Sequence, residues 1–455
     1  MVEVPVKIIV TNLLKKAKDA ARQMAMLSTQ AKNKILLSVA ERIAESEQSI
    51  LEANERDVNN VGKTFEGEGN RERVKEAVDR VRFTSEGVKR MVETIRRVAE
   101  LPDPVGDIAD RQQRPNGMQV SRVRVPIGVI AIISEFGPPT MAESVALCLK
   151  AGNVCVYRSA AEWAHTNAIL TALWLKAADE GGVPSGGLTF IDRPEKEAAV
   201  ELFRQPKYVD AVIPKGGVGL RKAVVEQSRV PVLCHDGGVN TLYIDSDADL
   251  PLAQNVVVNS KVQDPMAANS VDTLLIHQDT ARNLLPALIR RVLDEFKIEV
   301  RGCPKTNSLI GAQSFTSYKT VKEATEEDWG QQFLSANLAV KIVASLDEVL
   351  DHLARHAPVY TAAIVTRDYE TAMRFAREVE AAAVIVNAST RLHDAEEFGM
   401  GRQVGVSTGR IHARGPIALE QLTCEKYVVL GTGQLRHPHP VPITYEDAIM
   451  LKRPS

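Results

Sequence analysis

Apolar positions in the first hundred residues fall on helical stripes, as with Ile35, Val39 and Ile43, while Glu, Lys and Arg fill the positions between. That spacing predicts amphipathic helices lying on a surface. From Val125 the texture changes to short, nearly continuous apolar runs at 129–133, 154–157, 189–191, 211–213, 230–233 and 241–244. Each has the length and composition of a strand buried on both faces. Helix-period stretches separate the runs, and one of them, 140–150, opens with Thr140-x-x-Glu143, which predicts a capping box. Strand and helix alternate, so a parallel sheet in an α/β domain is expected. The alternation resumes after Asp249 with a strand at 273–276, a helix at 281–296, a strand at 338–342 and a helix opened by Ser345-x-x-Glu348. Residues 427–430 read as a last strand and 437–442 as an extended, proline-rich tail. No repeat of fixed period is present, which excludes solenoids and propellers.

Length and charge narrow the classes further. A chain of 455 residues is expected to form two or three domains at ~100–200 residues each. Lys plus Arg number 56 against 58 Asp plus Glu, and a net charge of -2 offers no field to hold nucleic acid or an acidic membrane. No apolar run approaches the ~18–20 residues of a membrane helix, and residues 1–20 lack the order of a secretory signal, so a cytoplasmic location is expected. The cysteines, Cys148, Cys155, Cys234, Cys303 and Cys424, are odd in number and without C-x-x-C. They argue against a disulfide framework or a structural zinc site, and no metal is expected. Cys148 and Cys155 read as core, and His437 and His439 as part of a solvated tail.

Two segments could carry chemistry. Lys215-Gly-Gly-Val-Gly-Leu220 follows a strand and precedes a helix, so Gly216, Gly217 and Gly219 either let the backbone approach a phosphate or make a tight turn. Cys234-His235-Asp236-Gly237-Gly238 follows another apolar run, at the end of a strand where open α/β sheets place their ligands. A thiol beside an imidazole is either an activated nucleophile or an ordinary half-buried cysteine, because neighbours on a strand point to opposite faces.

Arg122-Val-Arg-Val-Pro-Ile-Gly-Val-Ile130, Pro214-Lys-Gly-Gly-Val-Gly219, Val340-Lys-Ile-Val-Ala-Ser-Leu-Asp347, Val386-Asn-Ala-Ser-Thr-Arg391 and His412-Ala-Arg-Gly-Pro416 together resemble the gamma-glutamyl phosphate reductase (glutamate-5-semialdehyde dehydrogenase) family of the aldehyde dehydrogenase superfamily. The resemblance implies a Rossmann-type cofactor domain over 1–250 including the helical amino-terminal region, an α/β catalytic domain over 251–405, and a return segment over 406–455. It also implies an oligomerisation flap, built from a hairpin near 112–124 and the last strand. Members of that family reduce an acyl phosphate with NADPH: a thiolate displaces phosphate, amides hold the oxyanion, and hydride releases the aldehyde.

Against that pattern several positions depart. The family's cysteine position in Gln263-Asp-Pro-Met-Ala-Ala268-Asn269 is Ala268, and its Arg-Pro-Asn stretch is Gly137-Pro-Pro139, with Pro139 at the oxyanion donor. The Arg-Gly-Gly-Ser-Glu beside the dinucleotide is Arg158-Ser159-Ala-Ala-Glu162, and the acid expected after Asp328-Trp-Gly330 is Gln332. These departures predict a catalytically silent homologue serving as a scaffold or regulatory partner, with an active reductase or glutamate 5-kinase as candidate partners. NADP(H) binding, implied by the resemblance through Arg158, Ser159, Gly216, Gly217, Gly219 and Gln332, is expected to be weak or absent. The alternatives are an active NADP-dependent enzyme that uses another nucleophile, Cys234 with His235, and a protein that binds a nucleotide or amino acid without turnover. A homodimer or larger homo-oligomer is expected in each case.

Overall fold

The computed structural model describes residues 5–66, 71–233, 238–311 and 321–434. Five helices lead the chain: α1 (Val6–Met24), α2 (Thr29–Glu45), α3 (Glu47–Glu66), α4 (Arg71–Val81) and α5 (Ser85–Glu100). Ser28 and Thr84 start α2 and α5 by accepting from the amides of Ala31 and Gly87, both at 3.2 Å. The stripe expected on α2 is buried as Ile35, Leu36, Val39 and Ile43, and it shares one core with the first sheet rather than forming a separate layer.

A hairpin, β1 (Ile108–Gln113) and β2 (Gln119–Pro126), follows these helices. Next comes β3 (Val129–Ser134), α6 (Pro138–Lys150), β4 (Val154–Arg158), α7 (Ala164–Glu180), β5 (Leu188–Ile191), α8 (Lys196–Arg204), β6 (Ala211–Lys215) and α9 (Val218–Gln227). The strands form a parallel sheet in the order β5-β4-β3-β6, so the winding reverses between β3 and β6. A crevice at the carboxyl ends of those two strands is where such a sheet places a ligand.

Two expectations fail here for identifiable reasons. Residues 230–233 make only an isolated bridge between Val212 and Val232, because Pro231 has no N–H to continue a ladder. The box at Thr140 does not form: α6 already starts at Pro138, whose ring presets the helical φ, and Gly137 is its cap without any side-chain bond. Glu143 is thereby released from a capping role.

The second sheet takes β7 (Val239–Ile244), followed by α10 (Leu250–Val262), β8 (Thr273–His277), α11 (Gln278–Arg290), β9 (Glu299–Gly302), α12 (Pro304–Gly311), β10 (Val321–Glu323), α13 (Glu326–Trp329) and β11 (Asn337–Val343). It continues with α14 (Leu346–Arg355), β12 (Val359–Val365), α15 (Tyr369–Glu378) and β13 (Ala381–Val386). All seven strands are parallel in the order β10-β9-β11-β8-β7-β12-β13. The run at 241–244 therefore pairs in this sheet and not in the first, so the passage between sheets falls before Val239 rather than at 250. The box at Ser345 is real at its amino side: its hydroxyl accepts from Glu348 N at 3.3 Å, while the Glu348 carboxylate accepts from Ala344 N at 2.8 Å.

After a short antiparallel pair, β14 (Gly405–Ser407) and β15 (Gly415–Ile417), the chain returns as β16 (Thr423–Leu430) and pairs antiparallel with β2. The order β1-β2-β16 is the flap that the resemblance implies. The tail at 437–442, with His437 and His439, lies outside the described residues. Among those residues no helix is long and apolar enough to cross a membrane.

Candidate functional site

The crevice is built from two strand ends. Ser134 and Lys215 are register partners at the ends of β3 and β6, and the Glu135 amide bonds the Lys215 carbonyl at 2.8 Å. Beyond them the chain turns through Gly216 and Gly217 into α9. The Gly217 N–H, at the positive end of that helix, donates to a carboxylate oxygen of Glu135 at 2.8 Å. A β-carbon on Gly216 would stand 2.3 Å from the same oxygen, so any larger residue there would push the Glu135 carboxylate aside. Gly219 lies one residue into α9 with nothing within 4 Å of its missing β-carbon.

On the other flank, Ser159 and Ala160 line a cavity of about 480 Å³ together with Tyr157, Asn167, Phe190 and Arg193. Arg158 ends β4 and donates to the Pro194 carbonyl at 2.8 Å. Burial lowers its pKa, and Glu162, Glu135 and Glu195 pull it back up. Ala160 also belongs to an apolar cluster with Val61, Ala77, Val81 and Trp163, so it packs as core on one side and lines the cavity on the other. Trp163 also explains Gly137: a β-carbon there would be 2.6 Å from the indole ring.

The turn between α10 and β8 carries Ala268, the position that the resemblance makes the nucleophile's. Ala268 is half-buried, and its carbonyl accepts from Asn240 Nδ2 at 2.8 Å and from Gln332 Nε2 at 3.0 Å. Asn269 donates through Nδ2 to the carbonyls of Arg391 and His393, both at 3.1 Å, and its own carbonyl accepts from Thr390 Oγ1 at 2.7 Å. Gln263 takes the Arg391 guanidinium at 2.6 Å. Beneath the turn, Asp272 is buried and accepts from the Asn240 backbone and side chain and from Phe333 N, at 2.9–3.0 Å. Burial raises its pKa to about 6, against the pull of these donors and of Lys261. Burial likewise lowers Lys261 to about 8, opposed by Asp272.

The structure thus brings Gln332 to Ala268. Gln332 also lines, with Arg221 and Lys222 of α9, a cleft of about 590 Å³ across from the glycine turn. Pro139 sits exposed in the first turn of α6, where two consecutive prolines leave no N–H to donate. Cys234, His235 and Asp236 lie outside the described residues, but Gly238, which follows them, packs against the backbone of Pro358 and Tyr360, and two residues later Asn240 holds Ala268. Among the described cysteines Cys148 and Cys155 are in the first core, Cys303 is buried beside Thr306, and Cys424 is on the flap. Sequence reading missed Glu135, Asn240, Asp272, Lys261 and Arg193. Only Asp272 left a trace, as a lone acid at the head of an apolar run.

The two sheets, the crevice between them and the flap define the class. The chain belongs to the aldehyde dehydrogenase family, whose profile matches residues 8–329. Within it the relatives are gamma-glutamyl phosphate reductases. One from Thermodesulfovibrio yellowstonii is 39% identical over 95% of this chain and 99% of its own, and one from Heliobacterium modesticaldum is 41% identical over 93% and 97%. The crystal structure of gamma-glutamyl phosphate reductase from Thermotoga maritima is 35% identical and superposes with a TM-score of 0.86, covering 94% of this chain and all of that one.

These relatives overturn the expectation of catalytic silence. Chains alike over more than nine-tenths of both lengths carry the name of an oxidoreductase. The departures at 137–139, 158–162 and 268 are local. Around Ala268, Asn240, Asn269, Asp272 and Gln332 are joined by hydrogen bonds to the turn and to one another, while the buried Oδ1 atoms of Asn240 and Asn269 have no partner among the described residues.

Proposed function

We propose that this chain is an NADP(H)-dependent oxidoreductase that reduces L-glutamyl 5-phosphate to glutamate 5-semialdehyde and runs the reverse reaction with phosphate. The observation that carries the reading is that Gln332 bonds the Ala268 carbonyl and lines one cleft with α9, the helix that the glycine turn opens, in a chain about 40% identical to gamma-glutamyl phosphate reductases.

The residues present fit a dinucleotide. The Glu135 carboxylate on Gly217 shows that the start of α9 accepts an anionic oxygen, which is what a phosphate brings. The cavity by Ser159 has the volume of a nucleoside site, with Arg193 in its lining and Arg158 bonded to the Pro194 carbonyl at its edge supplying positive charge. NADPH bound there would supply the hydride. Gln332 holds the Ala268 carbonyl from the facing wall and keeps the acyl turn against the cofactor side.

Ala268 has no attacking atom, so the nucleophile comes from another residue. Cys234 is the thiol that stands six residues before Asn240, which bonds the Ala268 carbonyl, and that length of chain spans at most ~22 Å. His235 takes its proton. The thiolate attacks the acyl carbon, and the carbon–oxygen bond to phosphate breaks with the electron pair leaving on phosphate. After hydride transfer to the thioester carbon, the carbon–sulfur bond breaks, sulfur recovers a proton and the aldehyde departs. The chain acts as a homo-oligomer joined through the flap, where Tyr427, Val429 and Leu430 are exposed on β16.

The test is nicotinamide absorbance in the reverse direction with glutamate 5-semialdehyde, phosphate and NADP. Turnover dependent on phosphate supports the reading; absorbance that stays at the level of a protein-free control overturns it. Light scattering at micromolar concentration tests the assembly, and a 49.8 kDa species alone contradicts it.

A further inference from the structure

Between α6, the end of β6 and the segment 394–405 lies a second cavity, of about 250 Å³. It is lined by Glu143, Lys215, Asp394, Glu396, Arg402 and Gln403, two cations and three acids in a space too small for a nucleotide. Glu143, which a capping box would have occupied, makes no hydrogen bond among the described residues. It faces Lys215 and Arg402, which favour its charge, and Asp394, which opposes it, while burial pushes its carboxyl up. Arg402 leaves a buried Nε without a partner, and its Nη1 reaches the exposed Glu396 only at 3.7 Å. Gln403 is engaged with the Ala395 amide and closes one side.

Its position ties this cavity to the acyl turn. Asp394 directly follows His393, whose carbonyl receives Asn269 Nδ2, and Lys215 is the last residue of the strand that leads into the glycine turn. The cavity is thus lined by the residue next to the segment that holds the Ala268–Asn269 turn. The Glu143 carboxyl, without a hydrogen bond, and the buried Arg402 Nε, without a partner, are of opposite sign and are costly to bury without a ligand that answers each of them.

We propose that this cavity binds the zwitterionic α-amino acid end of the substrate, with Glu143 and Asp394 receiving its ammonium and Arg402 and Lys215 its carboxylate, so that Glu143 and Arg402 determine specificity. The assignment rests on the function proposed above and adds the residues that select the substrate. A plain acyl phosphate or aliphatic aldehyde would leave both sets unanswered, the situation in which a polar site discriminates most strongly.

Calorimetry separates this from turnover. L-Glutamate should bind the unmodified protein at least tenfold more tightly than glutarate, which lacks the ammonium, and than 4-aminobutyrate, which lacks the α-carboxylate. Glu143→Gln should erase the preference over glutarate, and Arg402→Gln the preference over 4-aminobutyrate, with NADPH affinity and thermal unfolding unchanged as proof of folding. Equal binding of the three ligands by the unmodified protein overturns the assignment, as does an unaltered preference in both folded variants. Discrimination without turnover upholds this subsite while the proposed reaction falls; turnover without discrimination does the reverse.

Discussion

Two strand-to-helix turns stand side by side at the same end of the first sheet, and they differ in what they can hold. The β6–α9 turn passes through Gly216 and Gly217 and presents an amide that already carries the Glu135 carboxylate. The β3–α6 turn enters its helix through Pro138 and Pro139, which have no N–H, and its Gly137 is fixed by the indole of Trp163. Equal topology thus gives one turn able to bind an anion and one that only starts a helix. Position in the fold does not confer a binding role; the donors that the residues leave free do.

The largest effect should come from the nucleophile. Cys234→Ser should lower turnover by about 10³-fold or more, since a hydroxyl is far less ionised than a thiol near neutral pH. Initial rates of the phosphate-dependent reverse reaction measure this, and a variant within threefold of the parent would remove Cys234 from the mechanism. Next, the barren turn can be given donors. Pro139→Asn restores an N–H and a side-chain amide, and where one oxyanion donor is worth ~10²–10³-fold, a gain of about tenfold in kcat is expected. No gain would mean that this turn does not face the reacting carbonyl.

A smaller effect concerns the frame under Ala268. Asp272 keeps its proton to about pH 6 in the folded chain, against 3.8 ordinarily. The unfolded chain sheds that proton first, so this group favours folding most below about pH 4 and loses that contribution as pH rises through about 6. At ~1.4 kcal/mol per pKa unit the loss is about 3 kcal/mol. Denaturant unfolding of parent and Asp272→Asn should therefore show the parent's relative stability falling between pH 4 and pH 7, and a pH-independent difference would contradict it. The smallest effect sharpens the contrast between the turns. Glu135→Gln removes the anion that a phosphate must displace from Gly217, and should tighten NADPH binding by about 3–10-fold, read by calorimetry. Weaker binding would show that Glu135 contacts the cofactor instead.

Much of this architecture is legible in the residue pattern because buried parallel strands are nearly continuous apolar runs, and β3, β4, β6, β8 and β11 appear within a residue or two of where their runs place them. The run at 230–233 misleads because one proline cancels a ladder that its three apolar neighbours suggest. Thr140 misleads because a capping box and a proline start compete two residues apart, and the proline's fixed φ prevails. The site is less legible for a different reason. Ala268 and Gln332 could be named by resemblance, yet the groups that fix them, Asn240 and Asp272, come from the end of another strand and from the step before β8, and only the sheet order brings them together. Weighing the substituted positions one at a time overstated their consequence, since Asn240, Asn269, Asp272 and Gln332 still hold the turn around Ala268 by hydrogen bonds.

The most direct test is to mix the protein with freshly generated L-glutamyl 5-phosphate in the absence of NADPH and to measure intact and peptide masses after rapid acid quenching. The account predicts one glutamyl group per chain, carried on the peptide containing Cys234 and discharged when NADPH is added before the quench. A glutamyl group on any other residue, or a chain that stays unmodified while turning over, would contradict it.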